Sequence, residues 1–137
     1  MRVVFADTGY WVALLNPYDE LHDKATELSK SLNPVRIVTS EMIVNEVLSD
    51  FSKRSQFLRE AAITLIDNIK QDPNISLVPL SSNQFQQGIE LYKNRLDKNW
   101  SPTDCVSFII MEEMGIYEAL AYDKHFEQAG FRPLLRD

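Results

Sequence analysis

The sequence predicts an α/β protein, a three-layer α/β/α sandwich built on a central, mainly parallel sheet. Two observations carry this prediction. Four short apolar runs typical of buried strands recur along the 137 residues, and segments with helical periodicity separate them. Strands that alternate with helices are joined by right-handed crossovers, which place parallel strands in one sheet between two layers of helices.

The predicted strands are "RVVFA" at 2–6, "VRIV" at 35–38, "ISLVPL" at 75–80 and "EALAY" at 118–122. Helical segments between them carry apolar residues three and four positions apart. Asp19 is a candidate cap for the first of these stripes. In chain order the stripes are Leu21, Ala25, Leu28 and Leu32; Ile43, Val47, Leu48 and Phe51; Leu58, Ala62, Leu65, Ile66 and Ile69; and Phe85, Ile89, Tyr92 and Leu96.

The stretch "SPTDCVSFIIMEEMG", from Ser101 to Gly115, predicts one complete helix. Ser101 suits the N-cap, Pro102 the first helical position and Gly115 the C-terminal stop. Asp104 can form a capping box with Ser101, although Asp is a poorer partner there than Glu or Gln. Apolar residues cover nearly every other face, so we expect a helix packed on both sides with Asp104 at its mouth.

Composition limits the classes of protein to which the chain can belong. With 45% hydrophobic and 25% charged residues it is expected to be globular, with a single domain over 1–137. No apolar run approaches the roughly 20 residues that span a bilayer, and the N-terminus turns acidic too early for a signal peptide. We therefore expect a cytoplasmic protein that does not bind membranes. Cys105 is a lone cysteine and is expected to be a core thiol.

The formal net charge of −6 argues against non-specific nucleic-acid binding over the whole surface, because Lys and Arg supply that affinity. A local site remains open. Carboxylates that bind divalent cations count as negative in the sum, yet present a positive centre to a phosphate once loaded.

Four acids occupy positions where such a site would form. Asp7 follows the first predicted strand and Asp123 the fourth, and ligands of open parallel sheets bind beyond the carboxyl ends of the strands. Asp104 opens the helix that leads into the fourth strand, and Glu46 lies about two turns into the helix after the second. Each of them alone also fits a structural role as turn former, helix cap or solvated residue.

If these carboxylates converge, they require cations. Two carboxylates about 5 Å apart repel by roughly 3 kcal/mol at an effective dielectric constant of about 20, so shared protons or bound cations must offset the repulsion. Oxygen ligands select hard ions such as Mg²⁺ or Mn²⁺. Two such ions about 4 Å apart would generate hydroxide and stabilise the leaving oxygen in a displacement at phosphorus, which is nuclease chemistry.

Four stretches carry a family resemblance: "VVFADTGYWVALLN", "TSEMIVNEVL", "SPTDCVSFIIMEEMGIYEAL" and "AYDKHFEQAGFRPLL". They resemble PIN domains, in particular the VapC-type ribonuclease toxins, over essentially the whole chain. The resemblance implies that Asp7, Glu46, Asp104 and Asp123 are catalytic acids that bind Mg²⁺ or Mn²⁺, with the Thr8 hydroxyl in support. It also implies an endoribonuclease with an RNA substrate, an antitoxin partner and a homodimeric assembly.

Two other functions remain open. A PIN-like RNA-binding or assembly module without catalysis would resemble the same family, although the presence of all four acids argues against it. An aspartyl-phosphate phosphatase also carries an Asp at the end of its first strand. Such enzymes generally have a second Asp two residues later, where this chain has Gly9.

Other conspicuous residues receive structural interpretations first. In "DKHF" we interpret Phe126 as a core anchor and His125 as a packing or hydrogen-bonding residue. Phe51 and Phe57 suit either the core or a face that binds a partner. The basic groups could hold an RNA backbone if they line the carboxyl edge of the sheet. These groups are Lys53, Arg54 and Arg59, and Lys93, Arg95, Lys98 and Lys124.

Overall fold

A computed structural model describes all residues, 1–137. The strands are β1 (Arg2–Ala6), β2 (Val35–Ser40), β3 (Ile75–Val78), β4 (Glu118–Leu120) and β5 (Arg132–Pro133). The helices are α1 (Thr8–Leu15), α2 (His22–Ser31), α3 (Glu41–Phe51), α4 (Gln56–Gln71), α5 (Ser82–Asn94), α6 (Pro102–Met114) and α7 (Lys124–Gln128). A C-terminal 3₁₀ turn covers Leu134–Arg136. None of the helices has the length and hydropathy needed to cross a bilayer.

The five strands form one sheet in the order β3-β2-β1-β4-β5, and every pair is parallel. The chain builds outward from β1 through β2 to β3, then returns to the other side of β1 for β4 and β5. Right-handed crossovers therefore place α1–α4 on one face and α5–α7 on the other. Most contacts between helices fall within these two groups, and α3 also contacts α6. The predicted three-layer sandwich is confirmed.

The reversal of direction makes the boundary between β1 and β4 the switch point of the sheet, where ligands of such folds bind. The amide of Asp7 donates to the carbonyl of Leu120 at 3.1 Å, so the carboxyl ends of the two strands lie side by side. Asp7 and Asp123 are thereby brought to the same edge of the sheet.

Helix α6 has the ends that the sequence predicts. The Ser101 hydroxyl accepts from the Asp104 amide, the Asp104 carboxylate accepts from the Ser101 amide, and Gly115 ends the helix in the left-handed region at φ 67°. Cys105, Val106 and Phe108 are buried together with most of the helix. Both the capping box and the double-sided packing are confirmed.

Helix α5 is correctly predicted as a helix, but its apolar stripe faces outward. Phe85 and Tyr92 are 39% and 43% exposed, and Leu96, 80% exposed, lies beyond the end of the helix. The buried position is Gly88, where an added Cβ would stand 2.7 Å from Cγ2 of Val106. The close contact with α6 runs through this glycine, and Leu91 also packs against the core, whereas Phe85 and Tyr92 remain exposed.

One further prediction is wrong, one open alternative is resolved, and one strand has no counterpart among the predictions. Asp19 does not cap α2, because the helix begins at His22 and the Asp19 carboxylate instead accepts from the Leu21 amide in the preceding turn. Phe51 is 1% exposed and belongs to the core, so it does not form a partner face, whereas Phe57 is 78% exposed. Strand β5 was not predicted, since two residues carry no recognisable period.

Candidate active site

All four predicted acids line one open cavity of about 690 Å³ beside the switch point of the sheet. They reach it from four different elements, since Asp7 follows β1, Glu46 lies on α3, Asp104 on α6 and Asp123 precedes α7. The remaining lining residues are Thr8, Gly9, Asn99, Ser101, Tyr122, Lys124, His125 and Arg136.

Asp7 stands at the N-cap position of α1 but makes no capping hydrogen bond with its side chain. Burial raises the pKa of this carboxyl to about 7, the backbone amide of Thr8 opposes the rise, and the other three acids add to it. The groups around Asp7 therefore do not offset the cost of burying its negative charge. The Asp7 carboxyl group is therefore available to a proton or to a cation.

Glu46 is held by a hydrogen bond across the cavity. The Thr8 hydroxyl donates to Oε1 of Glu46 at 2.7 Å, which joins the first residue of α1 to the middle of α3. A short bond to a carboxylate fixes the rotamer of the acid and leaves Oε2 available. The predicted supporting role of the Thr8 hydroxyl thus has a contact that can perform it.

Asp104 uses one carboxylate oxygen for structure. Its Oδ2 accepts from the Ser101 amide at 3.0 Å and lies 2.9 Å from Nδ1 of His125. Its Oδ1 makes no hydrogen bond within the chain. Burial raises the pKa of Asp104, while the Ser101 amide and the His125 side chain oppose the rise. One oxygen thus caps α6 while the second remains free for a ligand.

Asp123 caps α7 and is the fourth acid of the cavity. Its Oδ1 accepts from the His125 amide at 3.0 Å and also lies 3.3 Å from the His125 ring nitrogen Nδ1. This side chain is 47% exposed, against 13% for Asp104. Asp123 therefore forms the solvent-facing side of the acidic cluster.

The residues fit a hard divalent cation. Carboxylate oxygens are the ligands that Mg²⁺ and Mn²⁺ prefer, and Asp7 and Asp104 both have raised pKa values caused first by burial. As they stand, no three acid, histidine or cysteine side chains are arranged so that they could hold a metal ion. Binding of an ion by these acids would therefore require their side chains to rearrange.

Sequence reasoning missed part of the cavity. His125 was interpreted correctly as a hydrogen-bonding residue and Phe126 as a core anchor, because Phe126 is fully buried. The bridge from His125 to two acids has no local sequence signal, since Asp104 is 21 residues away. Of the predicted basic groups only Lys124 lines the cavity, and Arg136, which was not predicted, lines it as well.

Known proteins resemble the chain along nearly its whole length. The 23S rRNA-specific endonuclease VapC20 of Mycobacterium tuberculosis is 28% identical over 129 residues, which are 94% of this chain and 95% of the relative. No family model matches the chain.

Solved structures agree with this likeness. The crystal structure of M. tuberculosis VapC20, described as a Sarcin-Ricin loop cleaving toxin, matches with a TM-score of 0.84 and 26% identity, over 93% of this chain and 95% of that chain. FitAcB of Neisseria gonorrhoeae shares the fold, with a TM-score of 0.63 and 15% identity over 95% of each chain. In sequence and in fold, the chain is therefore similar to the toxin VapC20 over nearly its whole length.

Proposed function

We propose that this chain is a divalent-metal-dependent endoribonuclease that hydrolyses RNA phosphodiester bonds, and that it is the toxin of a toxin–antitoxin pair. The observation that carries the proposal is the convergence of Asp7, Glu46, Asp104 and Asp123 on one cavity at the switch point of the sheet. Similarity to VapC20, which is named a 23S rRNA-specific endonuclease, supports RNA as the substrate.

The four acids would hold Mg²⁺ or Mn²⁺, and when bound such an ion would activate water and offset charge on the phosphate oxygens. The protein's own contribution is orientation. Thr8 fixes Glu46 through one oxygen, while the Ser101 amide and His125 fix Oδ2 of Asp104. These contacts leave the second oxygen of each acid without a hydrogen bond in the chain, and the held rotamers lower the cost of ordering the site when substrate arrives.

Ribosomal RNA is the first substrate to test, because it is the substrate that the name of VapC20 states. We propose that the chain acts in the cytoplasm, where ribosomal RNA is found. A toxin that cleaves ribosomal RNA must be restrained in the cell that makes it, and we propose an antitoxin protein as the partner.

We also propose a homodimer. Helix α4 presents apolar side chains to solvent, with Phe57 78% and Ile63 56% exposed. Leu48 on α3 is 37% exposed and lines a groove together with Ile63. An apolar groove of about 270 Å³ lies between α3 and α4 at this place. Exposed apolar side chains next to such a groove are typical of surfaces that bind another protein.

The proposed activity is tested by cleavage of purified ribosomal RNA with protein that has been stripped of metal by EDTA. We expect no cleavage by the stripped protein, and cleavage when Mg²⁺ or Mn²⁺ is added back. Asp7→Asn should abolish cleavage, whereas Asp67→Asn, which changes the same charge on the exposed side of α4, should leave it intact. Cleavage that persists in EDTA, or in Asp7→Asn, would overturn the proposal.

A further inference from the structure

We propose that Arg136, assisted by Lys124, binds a backbone phosphate of the RNA at the rim of the acidic cavity. The inference rests on the proposed ribonuclease function and adds a substrate-binding element to it. It starts from the side chains of the cavity that are not acids. Among these only His125, Lys124 and Arg136 carry or can carry positive charge, and His125 is already engaged with Asp104 and Asp123.

Arg136 is held in a defined orientation without an acidic partner. Its Nη1 donates to the backbone carbonyl of Tyr122 at 2.8 Å, and its guanidinium carbon stands 4.7 Å from the centre of the Tyr122 ring. Its Nε and Nη2 make no hydrogen bond within the chain. A guanidinium fixed on one side, with donors free on the other, is preorganised for the oxygens of a phosphate.

The other arginines of the chain are engaged differently. Those at positions 2, 54, 95 and 132 form ion pairs with acids. Arg36 donates to Ser76 and Pro73 near the start of β2. Arg59 lines the groove between α3 and α4, away from the acids. Arg136 is therefore the one arginine that faces the acidic cavity without a carboxylate to neutralise it.

Buried neighbours hold the backbone of Arg136 in place at the end of the chain. Leu134 and Leu135 are each 3% exposed, and the Leu135 amide donates to the carbonyl of Ala121 at 3.0 Å. These anchors tie the C-terminal 3₁₀ turn to the segment that follows β4. Arg136 comes directly after them and is exposed, so its backbone is fixed while its side chain remains accessible.

Charge explains why such a contact is needed. A cavity with four carboxylates repels a polyanion, and cations bound at the acids can offset that repulsion only at the phosphate being cleaved. A neighbouring phosphate needs its own positive partner. Lys124 lies on the same rim, beside Asp123, and forms no ion pair, so it supplies a second, more flexible charge.

The test compares Arg136→Ala with wild type in RNA cleavage and in binding of fluorescein-labelled single-stranded RNA, with Ca²⁺ replacing Mg²⁺ in the binding assay. We expect Arg136→Ala to raise KM about tenfold with little change in kcat, the loss expected for one charge-assisted hydrogen bond. The slope of log affinity against log salt should fall by about 0.7, the value for one phosphate contact on a single strand.

Two variants separate binding from structure. Arg136→Lys retains the charge but loses the planar fork, so its KM should lie between those of wild type and Arg136→Ala. Arg36→Ala makes the same charge change at the opposite, amino edge of the sheet and should leave both KM and the salt slope as in wild type.

The outcomes distinguish this inference from the proposed function. Cleavage by wild type with an unchanged KM and salt slope in Arg136→Ala would overturn the inference and leave the function standing. RNA binding that depends on Arg136 without any cleavage would support the phosphate contact and overturn the catalytic proposal. Failure of the wild-type protein to bind or cleave RNA would overturn both.

Discussion

Nδ1 of His125 lies 2.9 Å from Oδ2 of Asp104 and 3.3 Å from Oδ1 of Asp123, so one imidazole joins an acid in α6 to the acid that caps α7. The His125 side chain is only 18% exposed, which protects these contacts from exchange with water. The relationship fixes the distance between two of the acids before any ligand binds.

His125→Ala should therefore reduce cleavage severalfold and weaken the rise in Tm that Mg²⁺ or Mn²⁺ induces, because Asp104 loses the side chain that orients it. Stability should fall by about 1 kcal/mol, the usual worth of one such hydrogen bond. His22→Ala is the matched control, since His22 makes a 2.7 Å contact to the Ala13 carbonyl outside the cavity. That control should lose stability but retain activity, and equal loss of activity in both variants would contradict the prediction.

The raised pKa of Asp7 predicts how the stability of the metal-free protein changes with pH. Its pKa is raised by burial from 3.8 to about 7, so its contribution to stability is full below the lower value and is lost as the pH rises through the higher one. In urea denaturation with EDTA, we expect Asp7→Asn to exceed wild type at pH 8 by on the order of 2 to 4 kcal/mol.

The difference between Asp7→Asn and wild type should shrink steadily as the pH falls from 8 to 4. Asp67→Asn, an exposed acid on α4, should show no such trend. A pH-independent difference for Asp7→Asn would mean that its carboxyl group titrates normally in the folded protein.

The layers of the fold and the positions of the four acids could be predicted, because both follow from the order of strands and helices along the chain. Buried parallel strands leave apolar runs, and the acids follow strand ends or open a helix. The direction in which the side chains of a helix point could not be predicted in this way. The outward face of α5 depends on close contact between Gly88 and Val106, and nothing in the spacing of Phe85 and Tyr92 records that contact.

The residues of the cavity also divide into those that the sequence predicts and those that it does not. Asp7 and Asp123 are placed by the strands they follow, which the apolar runs reveal. Arg136 is placed by burial of Leu134 and Leu135 and by a bond to Ala121. These are contacts between elements, so sequence reasoning had no means of assigning Arg136 to the site.

Gly88→Ala tests the packing of α5 on α6. The new methyl group would meet Cγ2 of Val106 at 2.7 Å and the Val106 backbone nitrogen at 3.4 Å. Overpacking costs about 1 to 3 kcal/mol, which outweighs the gain of up to about 1 kcal/mol in helix propensity. We expect a net loss of about 1 kcal/mol in urea denaturation.

Two further variants check this assignment. Gly9→Ala, where nothing lies within 4 Å of the new methyl group, should be neutral or stabilising. Val106→Ala combined with Gly88→Ala should cost less than the sum of the two single changes. Additive costs would show that the methyl group and Val106 do not meet.

The exposed apolar side chains of α4 lead us to expect a homodimer in solution. Light scattering of the wild-type protein at high concentration should give twice the 15.8 kDa of one chain. Phe57→Ser combined with Ile63→Ser should shift the mass towards the monomer, because it removes two exposed apolar side chains from α4. Tyr18→Ser, at a residue that is 91% exposed beyond α1, should not. A wild-type monomer at every concentration would refute the homodimer.

Asp104→Asn is the most direct test that these acids serve catalysis rather than folding. Asn can still accept from the Ser101 amide, so the cap of α6 is retained while a ligand oxygen and a charge are lost. We predict a metal-free Tm equal to or above that of wild type, no rise in Tm with Mg²⁺ or Mn²⁺, and no cleavage of ribosomal RNA. A variant that is destabilised but still cleaves RNA with Mg²⁺ would show that Asp104 is a helix cap and nothing more.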